Sequence, residues 1–236
     1  GGQTNLVYLF DLETGQKMDS ISCMTSEQTK DGYLGDLVLS ADGNTLYIVD
    51  QIGFRMVILD TKDKKVIGEV PVGRYPFGIC LSSDGLKAYV ANVGMYQYNL
   101  LPGIDPSNVD STAWEFPPYE YLSEESLKGY YTKDSVWVPG LGDPNVAESF
   151  SVFTVDVQNP AAPVVIQKTK TGNRVGALIE DIPAVGGSSP NSLVATNDYV
   201  FVSNGNNDNI SVLSPASDTV VKTIYLKPDS RLSSFR

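Results

Sequence analysis

The chain contains no histidine, and this absence limits the chemistry that its side chains can perform. Ser-His-Asp and Cys-His nucleophiles and histidine-ligated zinc all require an imidazole. Neighbouring carboxylates such as Glu180 and Asp181 leave glycosidase chemistry open, although 28 acidic residues make some pairing inevitable. No glycine-rich loop leads from a strand into a helix, so nucleotide binding has no support. We therefore predict no catalytic residue in this chain.

Two clusters of oxygen-bearing side chains are the candidates for a metal site. Calcium prefers carboxylate and carbonyl oxygens, but its common loop places acidic ligands at alternate residues and ends in glutamate. Neither cluster follows that pattern. We predict no cofactor, with calcium as an alternative that the spacing does not support. The clusters are Asp105, Asn108 and Asp110, and Asn206, Asn207 and Asp208.

The net charge limits the partners of the protein. Seventeen basic and 28 acidic residues give a net charge of −11, which repels nucleic acid and anionic lipid surfaces. No apolar run approaches the ~20 residues of a membrane-spanning helix. Cys23 and Cys80 fall in different repeats of the sequence, so we expect two apolar thiols and no disulfide. These features predict a protein partner, a fused domain or a glycan, and neither nucleic acid nor a membrane span.

Aromatic residues concentrate between residues 95 and 149. Flat amphipathic rings offer a stacking surface for a sugar or a docking surface for a partner. The alternative is that they pack this segment onto the rest of the protein, and we favour it for most of the rings, because an ordered segment must bury something. The rings are Tyr96, Tyr98, Trp114, Phe116, Tyr119, Tyr121, Tyr130, Tyr131 and Trp137.

Repeated strand patterns indicate the elements that position these residues. Residues 37–70 form one uninterrupted unit of four short apolar strands, with the turn Ser40-Ala41-Asp42-Gly43 between the first two. Residues 79–92 match the first half of this unit without a gap, and residues 8–21 and 211–224 match the second half at offsets of 49 and 154. A meander of about 42 residues that recurs, with strands too short to bury a core alone, is typical of a β-propeller blade.

We predict an all-β chain, a single β-propeller segment over residues 1–236 made of four-stranded antiparallel blades. About three and a half blades are present, and closed rings contain about 4 to 8, so we expect an incomplete ring. Missing blades would come from sequence outside this chain or from another chain. The blades span residues 6–22 (partial), 33–72, 77–168 with an irregular insert at 95–149, and 192–227.

The repeat resembles a known family. Residues 76–92, Pro-Phe-Gly-Ile-Cys-Leu-Ser-Ser-Asp-Gly-Leu-Lys-Ala-Tyr-Val-Ala-Asn, are similar to the YVTN-type propeller repeat of surface-layer-like proteins. Residues 140–152 and 198–213 resemble bacterial proteins in which such a propeller precedes an alkaline-phosphatase-superfamily domain. The resemblance implies an extracytoplasmic, periplasmic or cell-surface protein. Any metal site and nucleophile of such a domain would lie outside this chain.

The order of the strands predicts which loops share a face. In a four-strand meander the second turn and the connector to the next blade lie at one edge, which brings the insert beside residues 73–76 and 172–190. Two arginines in these connectors are candidate anion contacts, with local carboxylates such as Asp181 as their alternative partners. The candidate binding residues on this face are Arg74, Tyr75, Tyr96, Tyr98, Trp114, Tyr119, Trp137 and Arg174.

Three further expectations follow. Asp50, Asn92 and Asn204 end the second strand of their blades and should bond backbone groups of the following bend. Residues 123–130 should form a short helix capped by Ser123.

The function that we expect is a non-catalytic scaffold that binds a protein or glycan through the face bearing the insert. The alternatives are a propeller module that shapes access to a metal-dependent phosphoesterase and, with less support, a glycosidase-like propeller.

Overall fold

The computed structural model describes residues 2–26, 32–97, 103–105, 107–108, 123–179 and 181–226. The chain forms two compact units, Tyr96–Val146 and the remainder, Gly1–Met95 with Ala147–Arg236. In the part of the chain that the structure describes, the larger unit consists of antiparallel β-sheets, and the smaller unit carries one short helix and one hairpin.

The larger unit opens with a two-stranded hairpin and a complete four-stranded sheet. Alternating apolar residues form these strands, and tight turns connect them. Gly43 adopts the positive φ of 75° that the turn between the first two strands of the sheet requires. The hairpin is β1 (Leu6–Phe10) and β2 (Lys17–Ser22). The sheet has the order β3 (Leu34–Leu39), β4 (Thr45–Asp50), β5 (Arg55–Asp60), β6 (Lys65–Pro71).

The second four-stranded sheet is interrupted in sequence and continuous in pairing. It begins with β7 (Pro76–Leu81) and β8 (Lys87–Asn92). The smaller unit follows, with α1 (Glu124–Lys128), β9 (Gly129–Tyr131) and β10 (Trp137–Pro139), and the sheet resumes with β11 (Ser151–Asp156) and β12 (Val164–Lys170). Strand β11 pairs with β8 as β5 pairs with β4. The cap of α1 is as predicted, because Ser126 N donates to Ser123 Oγ at 3.2 Å.

The third four-stranded sheet follows a long connector. The connector contains the two-residue strands β13 (Leu178–Ile179) and β14 (Ile182–Pro183), and the sheet has the order β15 (Pro190–Ala195), β16 (Val200–Asn204), β17 (Asn209–Ser214), β18 (Thr219–Tyr225). Strand β7 contacts both β3 and β15, so the second sheet lies between the other two. The described sheets do not close into a ring, which confirms the prediction of an incomplete propeller.

A β-bulge in each outer strand shows that the hairpin belongs to the same repeat. The strand register skips one residue at the same position of β2, β6, β12 and β18. The skipped residues of β2, β6 and β18 are related by the sequence offsets of 49 and 154. Because the bulge of β2 matches the bulges of the fourth strands β6 and β18, β1 and β2 correspond to the third and fourth strands of a blade. Such bulges strengthen the local twist of an edge strand. The skipped residues are Met18, Ile67, Ile166 and Val221.

The core lies between neighbouring sheets. Successive side chains of a strand point to opposite faces, so Tyr47 and Val49 pack toward the second sheet while Leu46 and Ile48 pack toward the hairpin. A third apolar cluster, which includes Tyr89 and Leu213, joins the second and third sheets. Because both faces of the central sheets are buried, their middle strands are apolar at nearly every position, which is the pattern of sheets stacked face to face.

No helix in the described part of the chain has the length and apolar character needed to cross a bilayer. Cys23 is buried and Cys80 is half-buried, and both are free thiols.

Candidate functional site

The second turn of each sheet is tied to the connector that enters that sheet. Gln51 N donates to Tyr33 O at 2.8 Å in the first sheet. Val93 N donates to Tyr75 O at 3.1 Å in the second, and Gly205 N donates to Ser189 O at 3.1 Å in the third. We call this end of the larger unit the connector face. It contains residues 32–36, 51–54, 72–77, 93–95, 147–150, 171–179, 181–192 and 205–208.

The insert leaves and rejoins the larger unit at this face, beside Arg74. Gly94 N donates to Arg74 O at 2.9 Å, and Arg74 N donates to Glu148 O at 2.8 Å. The guanidinium of Arg74 reaches Met95 O at 2.6 Å and Ser149 Oγ at 2.9 Å through Nη1. Arg74 therefore bridges the outgoing and returning ends of the insert. Both of these bonds use Nη1 of the guanidinium. The role of Arg74 as an anion contact stays a prediction.

The returning end of the insert also packs against the long connector. The ring of Phe150 is buried, with a positive φ of 46°. It covers Gly187 so closely that a Cβ on this glycine would lie 1.9 Å from the Phe150 Cδ2 atom. The insert thus emerges beside both connectors, at residues 73–76 and 172–190, and this part of the geometric prediction is confirmed.

Each sheet carries a buried polar pair where its second strand ends. Asp50 accepts hydrogen bonds from Tyr33 N at 2.9 Å and Gly53 N at 3.0 Å, so the prediction that it bonds the following bend is confirmed. For Asn92 and Asn204 that prediction is wrong. Asn92 donates to Ser151 O at 3.2 Å, and Asn204 donates to the side chain of Asn209 at 2.7 Å. Both asparagines bond the first residue of the third strand, because an amide, unlike a carboxylate, can donate.

The inner strands carry a second set of bulges, one residue after each strand begins. Leu34, Pro76 and Pro190 are equivalent, because they pair with Asp50, Asn92 and Asn204. Directly after each of them the register shifts by one residue. A bulge turns a side chain away from the ladder. The residues at these bulges are Gly35 with Asp36 in β3, Phe77 in β7 and Asn191 in β15.

All three bulges open into one groove on the connector face. The groove has a volume of about 730 Å³, within the range of small-molecule sites. Its lining consists of Tyr33, Leu34, Gly35, Asp36, Gln51, Phe77, Asn191 and Ser192. Neither lysine nor arginine is among these described lining residues. A Cβ on Gly35 would lie 2.7 Å from Gln51 Nε2, the end of a movable side chain.

The polar side chains of the groove retain hydrogen-bonding capacity. Asp36 accepts from Leu37 N at 2.9 Å and from Ile79 N at 3.2 Å, one bond on each carboxylate oxygen. Asn191 Oδ1 accepts from Ser203 Oγ at 2.7 Å, which leaves its amide donors directed elsewhere. The side-chain amide of Gln51 and the hydroxyl of Tyr33 form no hydrogen bond with the described part of the chain. The groove therefore presents both donors and acceptors around two half-exposed aromatic rings.

Arg74, Tyr75 and Arg174, the predicted site residues of the larger unit, are not among the residues that line this groove. Tyr75 packs edge-on against Phe54, with ring centroids 4.8 Å apart. Tyr96 is buried, and Trp137 is exposed and contacts Tyr131 within the smaller unit. Arg174 is exposed on the connector face, and none of the described carboxylates forms a salt bridge with it. Tyr98, Trp114 and Tyr119 lie outside the described residues.

The calcium alternative also stays a prediction. Asp105 accepts from its neighbour Ser107, and Asp110 lies outside the described residues. Asn207 Oδ1 accepts from Asn173 N at 2.8 Å, and Asn207 is buried.

Sequence reasoning missed the groove, although a signal for it was present. The bulge residues that line it follow the proline that opens the inner strand, in Pro76-Phe77 and Pro190-Asn191, or the equivalent leucine in Leu34-Gly35-Asp36. Alignment of the three blade starts brings these positions together. What the alignment does not reveal is the bulge, which turns them toward one groove.

Comparisons with known proteins support the fold. No protein-family model and no curated protein matches the chain. Among solved structures, it is similar to Kuenenia stuttgartiensis hydrazine synthase, with 15% identity and a TM-score of 0.55 over 93% of this chain and 42% of the other. It is also similar to the Cps50 (Swd1) β-propeller domain of Myceliophteria thermophila, with 12% identity and a TM-score of 0.53 over 92% and 51%.

The chain spans about half the length of these structures or less. At such low identity the likeness shows the β-propeller fold alone. The resemblance to the YVTN-type repeat and to two-domain phosphatase-like proteins stays a prediction.

Proposed function

We propose that this chain is a non-catalytic binding module, a β-propeller arc that holds its ligand or partner on the connector face. One observation carries the proposal. Three equivalent bulges direct Asp36, Phe77 and Asn191 into one groove. Bulges concentrate next to functional sites because they re-aim side chains. The resemblance to exported YVTN-type propellers supports an extracytoplasmic location.

The groove is equipped for recognition and not for bond cleavage. Its described lining residues include a single carboxylate, whereas hydrolysis of a glycosidic bond uses two. That carboxylate is anchored by two backbone N–H groups, which fix its position for binding. The Arg74 bridge holds the ends of the insert on the same face.

Fragment mapping by NMR tests the proposal. A library of small polyols, amides and aromatic compounds is added to isotope-labelled protein, and amide shifts are followed. We expect the shifts to gather at residues 33–36, 51, 77 and 191–192, and to disappear in Phe77→Ser.

Leu39→Ser is the matched control. Leu39 is as exposed as Phe77, at 49% and 48%, but it lines a different groove at the opposite end of the inner strands. Fragments that gather in the Leu39 groove instead would overturn the proposal. So would turnover of a phosphoester or glycoside by the purified chain that survives repurification.

A further inference from the structure

We infer that the groove on the connector face binds an uncharged glycan, which it contacts through the three bulge residues. This inference rests on the proposed binding function and names its ligand class. It draws on the aromatic rings, the hydrogen-bonding groups and the charge of the groove.

The aromatic rings provide stacking surfaces. Phe77 and Tyr33 remain 48% and 41% exposed, although both are large side chains that burial would stabilise. The C–H groups on one face of a pyranose ring are apolar and weakly positive, so they fit the negative face of an aromatic ring. Phe77 carries no polar group, which leaves such stacking as the contact that it can offer.

The polar groups suit neighbouring hydroxyls. Each sugar hydroxyl both donates and accepts a hydrogen bond. Gln51 and Asn191 supply amide donors, and Gln51 Oε1 and the Asp36 carboxylate supply acceptors. The Ser192 and Tyr33 hydroxyls do both. A ligand that displays alternating donors and acceptors on a ring would satisfy this set, whereas an apolar ligand would leave it unpaired.

The charge of the groove selects against anions. Asp36 is the one charged side chain among the described lining residues, and the whole chain carries a net charge of −11. Uronates and sialylated or sulfated sugars would be repelled. A cationic peptide would be attracted to Asp36, but the remaining lining groups are neutral hydrogen-bonding side chains rather than further carboxylates. A neutral glycan would therefore engage more of the lining groups than a cationic peptide would.

The volume of the groove sets the length of the bound segment. At about 730 Å³ it matches a drug-sized ligand, which corresponds to a short oligosaccharide. Tetrasaccharides are therefore suitable probes.

Isothermal titration calorimetry with four tetrasaccharides tests the inference. The neutral probes are cellotetraose, mannotetraose and N-acetylchitotetraose, and the anionic probe is tetragalacturonate. We expect at least one neutral probe to bind and the anionic probe not to bind. Phe77→Ala should weaken that binding about tenfold or more, whereas Phe77→Trp should preserve it. Leu39→Ala is the control and should leave it unchanged.

The salt dependence separates a neutral ligand from a charged one. Affinity should change by less than roughly twofold when sodium chloride is raised from about 0.05 M to about 0.5 M, because no ion pair is involved. The inference is overturned if no neutral probe binds, or if tetragalacturonate binds as tightly as the best neutral probe. It is also overturned if a lysine-rich peptide binds more tightly and is released by salt. If fragments still map to the groove in these cases, the binding function stands and only the ligand class is wrong.

Discussion

Arg55 Nε lies 3.0 Å from Asp50 Oδ2, and both side chains are buried. The same guanidinium donates to Cys23 O at 2.8 Å and to Thr25 Oγ1 at 2.9 Å, and it also pairs with Glu69. One arginine thus joins the end of the hairpin to the first sheet. The equivalent pairs in the next two sheets, Asn92 with Ser151 and Asn204 with Asn209, are uncharged.

Replacing Arg55 by methionine should destabilise the fold strongly. The change leaves the fully buried Asp50 carboxylate without its counter-charge, and the loss of one partner of a buried pair costs about 3–5 kcal/mol. Urea unfolding followed by far-ultraviolet circular dichroism, which reports the β-sheets, measures this cost. Lys65→Met is the control, because Lys65 and its partner Asp63 are both more than half exposed and the pair contributes at most about 1 kcal/mol. Equal losses in the two variants would contradict the prediction.

The turn containing Asp42 should make stability depend on pH in acid. The Ser40 hydroxyl and the backbone N–H and side-chain amide of Asn44 hydrogen-bond the Asp42 carboxylate and lower its pKa from 3.8 to about 2. Because the folded pKa lies below the unfolded one, the stabilisation is complete above pH 3.8 and is lost as the pH falls toward 2. Asp42→Asn should therefore flatten the decline in urea midpoint between pH 5 and pH 2.

The third sheet provides the control for this prediction. Its first turn is held by Thr196 Oγ1, which accepts from Asp198 N at 3.3 Å and from Tyr199 N at 3.1 Å. Asp198→Asn should leave the acid slope as it is in the parent chain. A flattened slope in both variants would show that general charge, rather than the turn, causes the decline.

Gly187→Ala should destabilise the protein by about 1–3 kcal/mol, the usual cost of overpacking. A Cβ at this position would overlap the buried ring of Phe150. Gly186→Ala is the adjacent control, since the nearest atom to its Cβ is Asn206 Nδ2 at 3.3 Å, the end of a movable side chain. Thermal unfolding of both variants compares them, and a Gly187→Ala midpoint no lower than that of Gly186→Ala would refute this packing.

Arg74→Met should loosen the ends of the insert without unfolding the sheets. Each lost hydrogen bond contributes about 1 kcal/mol, so amide exchange at Gly94 and Phe150 should accelerate about 5–10-fold. Hydrogen exchange with mass spectrometry measures these peptides. Lys168→Met is the control, because its ion pair with Glu148, at 2.7 Å, lies nearby but is partly exposed. Unchanged exchange in Arg74→Met would show that the bridge does not hold the insert.

Cys80 should react slowly despite its partial exposure. Burial raises the pKa of its thiol to about 12, and burial likewise raises the pKa of Cys23 to about 11. The thiolate is the reactive form, so at pH 8 native Cys80 should react with a disulfide reagent at least about a hundredfold more slowly than in urea. The Cys23→Ser variant isolates the Cys80 signal. A native rate within about tenfold of the unfolded rate would contradict the prediction.

The sequence predicted the repeated part of the fold because that part depends on local patterns. The Asp42-Gly43 and Asp84-Gly85 turns and the alternation of apolar residues determine strand starts and faces, and the hairpin was placed by matching residues 8–21 to 57–70. The position of the insert followed from strand order alone. These features need no knowledge of side-chain packing.

The groove depends on features that local patterns do not encode. A bulge at Phe77 is a shift in pairing with a distant strand, and nothing in Pro76-Phe77-Gly78 distinguishes it from a regular strand start. The bond from Arg74 to Met95 O depends on the path of the chain where the insert begins, so the sequence could not predict it. The number of aromatic residues in the insert led to the prediction of a binding surface there, whereas the groove contains two rings, Tyr33 and Phe77, that are distant in sequence.

The inner-strand bulges also affect how this protein can change over generations. Asp36, Phe77 and Asn191 lie outside the regular ladder and outside the three apolar clusters. Phe77 has no side-chain hydrogen bond to lose, so this position can mutate with little effect on folding, whereas Asp36 and Asn191 also accept hydrogen bonds from Ile79 N and Ser203 Oγ that a substitution would break. Such a scaffold can diversify its specificity at the bulge of one blade while the hydrogen bonds at the other two bulges hold neighbouring strands in place.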